Sequence, residues 1–459
     1  MTIKIRMARP HVMVVPYPVQ GHVIPLMELS FYLAKQGIKI TFVNTKDNHE
    51  RIVSSFPSGN DLLSQIFLVW VSDGLESSEE RKRPGKSSEA VLKVMPEKVE
   101  ELIECNNGLE SEKITCVLGD QSIGWALEIA ERKGIRRAAF CPASAAQLVL
   151  GLRIPKLVDN GIIDKDGTPL KKKVIQLSPT MPTISTENLV WVSLGSKIAQ
   201  KHIFQLMVKN IKSTQKTEWI LCNSTHELEP AAFSLAPEIT PIGPLLSSNQ
   251  FKHSAGNFWP QELSCLKWLD QQSPNSVIYI AFGSFTTFDL TQFQELCLGL
   301  ELSNRPFFWV VQPDITEGTK NAYPEGFEER VCKQGRMVNW APQQRILSHS
   351  SVACFISHCG WNSILESVSN GIPILCRSYF ADQFLNRSYI CDVWKVELGL
   401  ERDGSGVITR CEIGSKIEKL LNEGLKARAA NLMVKVQIST GQGGLSNHNL
   451  HNFIRWIKT

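Results

Sequence analysis

The amino-acid sequence predicts an α/β fold in which two Rossmann-like, doubly wound domains face each other across a cleft. Short apolar runs, typical of buried strands, alternate with segments of helical periodicity through both halves of the chain. The 459 residues exceed what one hydrophobic core usually organises, so two domains of about 200 residues each are expected. A stretch rich in Ser, Gly and Asn interrupts the alternation near the middle of the chain.

The first half of the chain opens with a strand, a helix and a second strand. Leu26, Leu29 and Leu33 recur at spacings of three and four residues, which places them on one face of the helix, and Gly37 ends it. Repeated units of this kind build a parallel sheet covered by helices. The predicted strands of this half are residues 11–17, 38–45, 115–120, 137–141 and 218–223, and its predicted helices are residues 22–36 and 123–132.

The second half repeats the same alternation after the interruption. An amphipathic helix at the C-terminus, within residues 445–459, is expected to pack back on the first domain. Open α/β sheets bind ligands beyond the carboxyl ends of their strands, so functional residues are expected just after strands. The predicted parts are a first domain over residues 1–245, a linker over 246–262 and a second domain over 263–444. The predicted elements of the second domain are strands at 277–282, 307–311, 354–358 and 372–376 and helices at 290–302, 362–369 and 381–394.

Composition argues against several classes of protein. The net charge is +4 and no run of Lys or Arg dominates, so no nucleic-acid partner is expected. No stretch of about 18 apolar residues predicts a membrane span, and the apolar run at residues 12–15 is too short for a signal peptide. The 12 cysteines have irregular spacing without a metal-binding pattern, which is typical of reduced thiols. We therefore expect a cytoplasmic protein.

Two polar side chains follow strands of the first domain. Gln20-Gly21-His22 stands where a dinucleotide-binding chain has GxGxxG, which argues against a nicotinamide oxidoreductase. His22 lies near a helix start, where the helix dipole favours the neutral imidazole that a general base needs. Asp120 ends another strand, and its carboxylate would hold the tautomer of His22. A structural histidine at a helix start and an Asp at an N-cap explain the two positions equally well.

The second domain concentrates phosphate-binding chemistry around one turn. The strand at 354–358 turns through Cys359-Gly360 into a helix, and a helix N-terminus binds phosphate oxygens through its N–H groups. His358, Asn362 and Ser363 add side-chain donors at the same place. This pattern predicts a site for a phosphorylated ligand.

Further side chains around this turn suit a nucleotide that carries a sugar. Trp340 offers a flat face on which a base can stack. Glu366, one turn into the helix, is placed to accept hydrogen bonds from ribose hydroxyls, and Asp382 and Gln383 follow another strand, where they are placed to bind sugar hydroxyls.

The 44 residues from Trp340 to Gln383 resemble the signature box of plant secondary-product UDP-glycosyltransferases. The spacing within this box is intact, which makes the resemblance far more specific than a lone glycine motif. Similar segments cover nearly the whole chain. They are Gln20-Gly21-His22, Thr41-Phe42-Val43-Asn44-Thr45, Cys222-Asn223-Ser224, Glu227-Leu228-Glu229-Pro230, Ile242-Gly243-Pro244, Leu266-Lys267-Trp268-Leu269-Asp270 and Tyr279-Ile280-Ala281-Phe282-Gly283-Ser284.

The resemblance implies a GT-B arrangement of the two domains and transfer of a hexose with inversion, without a metal or other cofactor. It implies that His22 is the catalytic base and Asp120 its partner. Gln383 resembles the residue of glucose users, which makes UDP-glucose the expected donor substrate. The UDP-binding residues that it implies are Ser284, Trp340, Ala341, Gln343, His358, Asn362, Ser363 and Glu366. The sugar-binding residues that it implies are Ser144, Trp361, Asp382 and Gln383.

Three positions depart from the family pattern. Arg377 and Ser378 replace the usual Trp and Pro, and Ala353 replaces Gly. Two interpretations of Arg377 are open: a change of donor preference, including an acidic sugar, or a neutral change on the exterior of a loop. We favour the loop exterior.

The resemblance leaves the acceptor unspecified. The expected acceptor is a hydroxyl or carboxyl of a small hydrophobic plant metabolite such as a flavonoid, phenolic or terpenoid. The loops expected to shape its site lie in residues 72–95, 144–160 and 178–205. The product is an O-glycoside, an ester or a C-glycoside. A monomer is expected, with the UDP-sugar and this acceptor as its only partners. The alternative is a non-catalytic protein that binds UDP-sugars or metabolites on the same scaffold.

Overall fold

A computed structural model describes residues 9–55, 66–75, 80, 86–108, 113–194, 196–246, 264–313, 315–316, 322–421 and 423–459. The chain divides into two compact units. The first comprises Met1–Leu170, Gly195–Trp259 and Thr440–Thr459, and the second comprises Lys171–Leu194 and Pro260–Ser439. Of the predicted linker, residues 247–262 lie outside the described residues.

All nine predicted strands are present, together with strands that were not predicted. The strands are β1 His11–Val15, β2 Lys39–Thr45, β3 Phe67–Val71, β4 Cys116–Asp120, β5 Arg136–Cys141, β6 Val174–Ile175, β7 Ile184–Ser185, β8 Trp219–Cys222, β9 Ile239–Pro241, β10 Val277–Ala281, β11 Phe307–Val310, β12 Gly335–Val338, β13 Val352–Ser357, β14 Ile374–Cys376 and β15 Glu397–Gly399.

The helices of the first unit cover the two faces of its sheet. The helices before residue 240 are α1 Gln20–Lys35, α2 Lys46–Ser55, α3 Lys86–Lys93, α4 Met95–Asn107, α5 Gly124–Arg132, α6 Ala145–Leu152, α7 Ile154–Asp159, α8 Lys197–Thr214 and α9 Pro230–Leu235. The later helices are α10 Ser264–Leu269, α11 Leu290–Ser303, α12 Phe327–Val331, α13 Gln343–Leu347, α14 Trp361–Ser369, α15 Gln383–Ser388, α16 Arg410–Leu420, α17 Glu423–Thr440 and α18 Leu445–Lys458. No helix in the described part of the chain is both long and apolar enough to cross a bilayer.

Each unit is built on a parallel sheet. The first sheet has seven strands in the order β3-β2-β1-β4-β5-β8-β9. The second has six in the order β12-β11-β10-β13-β14-β15. A small antiparallel ribbon, β6 with β7, belongs to the second unit.

Strand order reverses at one point in each sheet. In the first sheet the chain leaves β1 towards β2 on one side and returns to β4 on the other; in the second sheet β10 and β13 flank the corresponding point. The connections that leave two such strands go to opposite faces of the sheet, so a crevice opens between their carboxyl ends. In both sheets, the strands at the reversal point are followed along the chain by residues that are predicted to be functional.

The C-terminal helix α18 contributes to the core of the first unit. Leu450, Phe453, Ile454 and Ile457 share one buried apolar cluster with residues of β1, β2 and α1. The cluster also contacts β8, because the ring centroids of Trp219 and Phe453 lie 5.6 Å apart.

Three features of the fold differ from the prediction. The segment 144–160, which was expected to contribute a loop to the acceptor site, is almost entirely the two helices α6 and α7. The helix predicted over residues 381–394 is not continuous: it is α15 followed by a π-helix at Tyr389–Trp394, and Ala381 stands before it with a φ of 57° that no right-handed helix accepts. Residues 171–194, which the predicted boundary at 245 places in the first domain, belong to the second unit. One of their anchors is Ser193, whose Oγ accepts the N–H of Ala381 at 3.0 Å.

Replacing Phe453 tests the contribution of α18 to the first unit. Phe453→Ala removes a fully buried ring from the core, so we expect the free energy of unfolding to fall by about 3–5 kcal/mol. His448→Ala, at an exposed position of the same helix, is the matched control and should stay within about 0.5 kcal/mol of the wild type. Denaturant titration measures both, and equal stability of the two variants would contradict the packing described here.

Candidate active site

His22 and Asp120 meet at the reversal point of the first sheet. His22 is the third residue of α1, which follows β1, and Asp120 ends the neighbouring strand β4. The imidazole Nδ1 lies 2.7 Å from Asp120 Oδ2. The carboxylate is fully buried, whereas the His22 side chain is 27% exposed. The pair therefore has one end fixed in the protein and the other open to a ligand.

The surroundings of the pair fix its orientation. Asp120 Oδ1 accepts the N–H of Ser122 at 2.8 Å, which leaves Oδ2 for the imidazole. The ring of Tyr17 lies 5.4 Å from that of His22, centroid to centroid. Because a carboxylate accepts hydrogen bonds, it selects the tautomer with the proton on Nδ1 and a lone pair on Nε2.

Ser144 and Glu229 organise the next strand end along the sheet. Ser144 is fully buried and caps α6: its Oγ accepts the N–H of Gln147 at 3.2 Å. The Glu229 carboxylate accepts the N–H groups of Ala145 and Ala146 at 2.8 and 2.9 Å. Ser144 thus serves its own helix here, and it belongs to the first unit, whereas the other predicted sugar-binding residues belong to the second.

His358 stands at the reversal point of the second sheet, directly after β13. Two glycines make room for its ring. A Cβ on Gly283, in the turn after β10, would lie 2.7 Å from His358 Nε2, and one on Gly360 would lie closer still. Gly283 also has a φ of +72°, which a side chain rarely tolerates. The imidazole therefore contacts the backbone of both turns.

The turn after His358 leads into α14 without a side-chain cap. Cys359 has a φ of 68°, and its N–H donates to Ser357 Oγ at 3.2 Å. Gly360 is the N-cap residue and makes no side-chain capping bond. The first-turn N–H groups of α14 therefore present a positive potential at the same edge as His358.

Desolvation decides the protonation of His358. It lowers the pKa of His358 to about 4, against a smaller opposing effect of the Ala281 backbone. The ring is therefore neutral at physiological pH, and it acts as a hydrogen-bond donor and not as a cation.

A hydrogen-bond network joins five side chains on and beside this helix. Gln343 Nε2 donates to Ser363 Oγ at 2.9 Å and to Glu366 Oε2 at 2.6 Å. Tyr279 donates its hydroxyl to Gln343 Oε1 at 3.1 Å, and Gln344 donates to Glu366 Oε1 at 3.3 Å. Glu366 is 7% exposed, so its carboxylate is held in one orientation at the surface of the site.

The remaining predicted UDP-binding residues surround the same edge of the second sheet. Trp340 is half-buried and follows β12, and Ala341 is buried beside it. Asn362 is half-buried in the first turn of α14, and Ser284 is exposed after β10. The structure thus brings all eight predicted residues to the carboxyl ends of β10, β12 and β13 and to the two helices that follow.

The predicted sugar-binding pair lies at the start of α15. Asp382 is half-buried, and its Oδ2 accepts the side-chain amide of Asn386 at 2.7 Å. Gln383 is buried, and its Oε1 accepts the N–H groups of Tyr379 and Phe380 at 2.8 and 3.1 Å. Trp361 is 3% exposed at the start of α14.

Comparisons with known proteins show the family of this chain. The family model described as "UDP-glucoronosyl and UDP-glucosyl transferase" matches residues 192–431. UDP-glycosyltransferase 83A1 from Arabidopsis thaliana is 52% identical over 99% of this chain and 98% of its own. Linamarin synthase 1 from Manihot esculenta is 31% identical over 98% of this chain and 97% of its own. The chain belongs to the UDP-glycosyltransferase family.

Solved structures of plant enzymes show the same fold. A UDP-glucosyltransferase from Polygonum tinctorium that is capable of glucosylating indoxyl superposes with a TM-score of 0.83 over 98% of this chain and 99% of its own, at 24% identity. Os79 from O. sativa, solved in complex with UDP, gives a TM-score of 0.80 over 97% and 100%, also at 24% identity. The predicted GT-B fold class is confirmed.

Arg377 of this glycosyltransferase is not on the exterior of a loop, so that interpretation is wrong. The side chain is 6% exposed, and its guanidinium lies 4.1 Å from the ring centroid of Phe288. Burial lowers the pKa of Arg377 to about 10, which leaves it charged at neutral pH. Its Nε and Nη1 have no hydrogen-bond partner within the described ranges. The departure from the family pattern thus places a buried charge before the loop that leads to Asp382.

Three residues of the site were not predicted. Tyr279 orients Gln343, Ser193 holds the backbone before Asp382, and Asn386 holds the Asp382 carboxylate. Asn386 has a readable signal, because it stands four residues after Asp382 in a predicted helix, where side chains meet. The partners of Tyr279 and Ser193 are distant in sequence and leave no such signal.

The glycines around His358 generate a prediction. Gly283→Ala would push a Cβ into the imidazole, so we expect UDP binding to weaken at least about tenfold. Gly406→Ala is the matched control: Gly406 has a similar φ of +85°, but a Cβ there meets nothing within 4 Å. Both variants carry the cost of a left-handed residue, about 1 kcal/mol. Calorimetric titration with UDP separates them, and equal affinities would contradict the contact with His358.

Burial of Glu229 predicts a pH dependence of stability. Burial raises the pKa of Glu229 from 4.5 to about 7, against the opposing bonds from Ser224, Ala146 and Ala145. A raised folded-state pKa means that the stability contributed by this group is fully present at acidic pH and is lost as the pH rises from 4.5 to about 7. Glu229→Gln is neutral throughout and should escape this loss.

Denaturant titration at about pH 5 and about pH 8 measures the effect. Relative to the wild type, Glu229→Gln should gain about 2.5 kcal/mol in the free energy of unfolding between the two pH values. Glu238→Gln, which replaces an exposed carboxylate, is the control. The same difference from the wild type at both pH values would show that Glu229 does not titrate in this range.

Proposed function

We propose that this enzyme transfers glucose from UDP-glucose, with inversion at the anomeric carbon and without a metal, to a hydroxyl or carboxyl of a small hydrophobic plant metabolite such as a flavonoid, phenolic or terpenoid. One observation carries the catalytic part of this proposal. His22 Nδ1 contacts the fully buried Asp120 carboxylate at 2.7 Å, while the imidazole itself is partly exposed. A histidine held in this way has its Nε2 available as a general base.

The reaction follows from this tautomer. The acceptor oxygen attacks the anomeric carbon from the face opposite UDP, and its proton goes to His22 Nε2. The new bond from the acceptor oxygen to carbon forms as the bond from carbon to the diphosphate oxygen breaks, and UDP leaves with the electron pair. Asp120 stabilises the imidazolium that results. A single displacement of this kind inverts the configuration.

The leaving diphosphate gains negative charge, and the second unit offers groups that stabilise it. The first-turn N–H groups of α14 and the neutral His358 are placed at one edge of the sheet. We propose that Ser284, Asn362 and Ser363 complete this site. These donors supply the positive potential that the proposed metal-free mechanism requires.

The nucleoside and the sugar are assigned by the same reasoning. We propose that Trp340 stacks on uracil beside the backbone of Ala341, and that Gln343 and Glu366 bind the ribose. Glu366 is an acceptor in a fixed orientation, which suits a pair of hydroxyl donors. We further propose that the sugar contacts Trp361, Asp382 and Gln383, with Ser144 of the first unit as the fourth predicted contact.

The cellular setting is part of the proposal. All 12 cysteines are free thiols, nine of them not exposed, which suits a reducing compartment such as the cytoplasm. We propose that the enzyme acts as a monomer, because one chain supplies both the His22–Asp120 pair and the residues of the predicted UDP site.

Release of UDP with a panel of acceptors tests this function. Purified protein is incubated with UDP-glucose and flavonoids, terpenoid alcohols or phenolic acids, and products are identified by mass. A product heavier than its acceptor by one hexose supports the proposal and names the acceptor class. A parallel reaction with an acidic UDP-sugar tests the donor, and a preference for it would replace glucose in the proposal. Tight binding of UDP-glucose without any product would favour the non-catalytic alternative.

Substitution of the base tests the mechanism. His22→Ala should lower kcat by about 10²–10⁴ while leaving the affinity for UDP near that of the wild type, because general-base catalysis contributes that much to the rate. His349→Ala is the matched control: His349 also pairs with an Asp, Asp270, at 3.1 Å, but away from the predicted site. Its kcat should stay at the wild-type value. If His22→Ala kept more than about a tenth of wild-type kcat, His22 would not be the base.

A further inference from the structure

Asn386 lies between the two halves of the proposed donor site. It is fully buried on α15, one helical turn after Asp382. Its side-chain nitrogen Nδ2 donates to Asp382 Oδ2 at 2.7 Å and to the backbone carbonyl of Cys359 at 3.1 Å. One amide group therefore joins the proposed sugar contact to the turn that precedes the proposed diphosphate site.

The orientation of this amide is set by its partners. Both groups that face the side-chain nitrogen are acceptors, a carboxylate and a carbonyl. A flipped amide would place its own oxygen against these two oxygen atoms, so the nitrogen must face them. The side-chain oxygen Oδ1 is buried and has no hydrogen-bond partner among the residues that the structure describes. The amide nitrogen of Asn386 is thus fully hydrogen-bonded, whereas its amide oxygen accepts no hydrogen bond. A side chain that only filled space would not need these two donated hydrogen bonds.

The Cys359 carbonyl is a sensitive point of the turn. Cys359 has a left-handed φ of 68°, and Gly360 and the first turn of α14 follow directly. A hydrogen bond to this carbonyl holds the peptide plane that connects Cys359 to Gly360. A change of that plane would tilt the N–H groups at the start of α14 and displace the backbone beside His358, which contacts the Gly360 position.

We infer that Asn386 is a positioning residue that couples the sugar contact to the diphosphate turn. This inference rests on the proposed function. Asn386 holds Asp382 in the orientation that binds the sugar and holds Cys359 in the conformation that presents α14 to the diphosphate. The two contacts are then formed together, and loss of the amide weakens the whole UDP-sugar more than UDP alone.

The isosteric variant Asn386→Asp tests this role. It keeps the size of the side chain but replaces the amide donor by a carboxylate, which faces Asp382 and the Cys359 carbonyl as a third acceptor. In calorimetric titrations we expect the affinity for UDP-glucose to fall at least about tenfold. The affinity for UDP should fall less, because UDP lacks the sugar that Asp382 contacts.

A matched control separates positioning from general loss of stability. Gln292 is also a buried amide of the second unit, and it makes two hydrogen bonds, at 2.9 and 3.0 Å, to the backbone of Ile408. Gln292→Ala should lower the melting temperature but leave the ratio of the affinity for UDP-glucose to the affinity for UDP unchanged. Asn386→Ala removes the same kind of group and should lower that ratio.

A double-mutant cycle measures the coupling itself. Asp382→Ala, Asn386→Ala and the double variant are titrated with UDP-glucose, and the double variant should lose much less than the product of the two single losses, because both act on one contact. If the wild type binds UDP-glucose and Asn386→Asp binds it with an affinity within about twofold, the inference is wrong while the proposed function stands. The same holds if the affinity losses of the two single variants multiply in the double variant. A wild type that binds neither UDP nor UDP-glucose overturns the proposed function and the inference with it.

Discussion

The reversal of strand order in each parallel sheet is the constraint on which the site depends. The connections that follow the two strands at this point go to opposite faces of the sheet and leave the carboxyl ends of the strands uncovered. Backbone groups and side chains there therefore stay available to a ligand. In the first sheet this point receives His22 and Asp120, and in the second it receives Gly283 and His358. The helices and cores elsewhere serve to hold these two edges in place.

Hydrogen bonds within each edge prepare the polar groups before a substrate arrives. Asp120 fixes His22, Gln343 fixes Glu366, and Asn386 fixes Asp382. In the first and third pairs, a fully buried partner orients the group that is proposed to contact substrate. In the second pair, Gln343 and Glu366 are both proposed ribose contacts, and each orients the other. Preorganised donors and acceptors need no reorientation during the reaction, which is the main way in which enzymes stabilise developing charge.

Much of this arrangement is readable from the sequence, because it follows strands whose apolar runs are plain and because the signature box is contiguous. What could not be predicted depends on tertiary contacts. Ala381 has a left-handed backbone conformation, which excludes it from the helix that the hydrophobic periodicity predicts over residues 381–394. An alanine gives no indication of that conformation in the sequence. The burial of Arg377 against Phe288 joins loops after different strands. In the sequence, Tyr279 is indistinguishable from the other core residues of β10, and only the structure shows the hydrogen bond from its hydroxyl to Gln343.

The segment 171–194 belongs to the second unit although it precedes the end of the first in sequence. A recombinant of two relatives that is cut at the end of the first predicted domain would be joined near residue 245. A cut near residue 245 would take Ser193 from one parent and Ala381 from the other, so the hydrogen bond between them would have to form across the two parents. Recombinants that take residues 171–194 and the second domain from the same parent preserve this contact. The part of the chain that should be exchanged as a whole is therefore discontinuous in sequence.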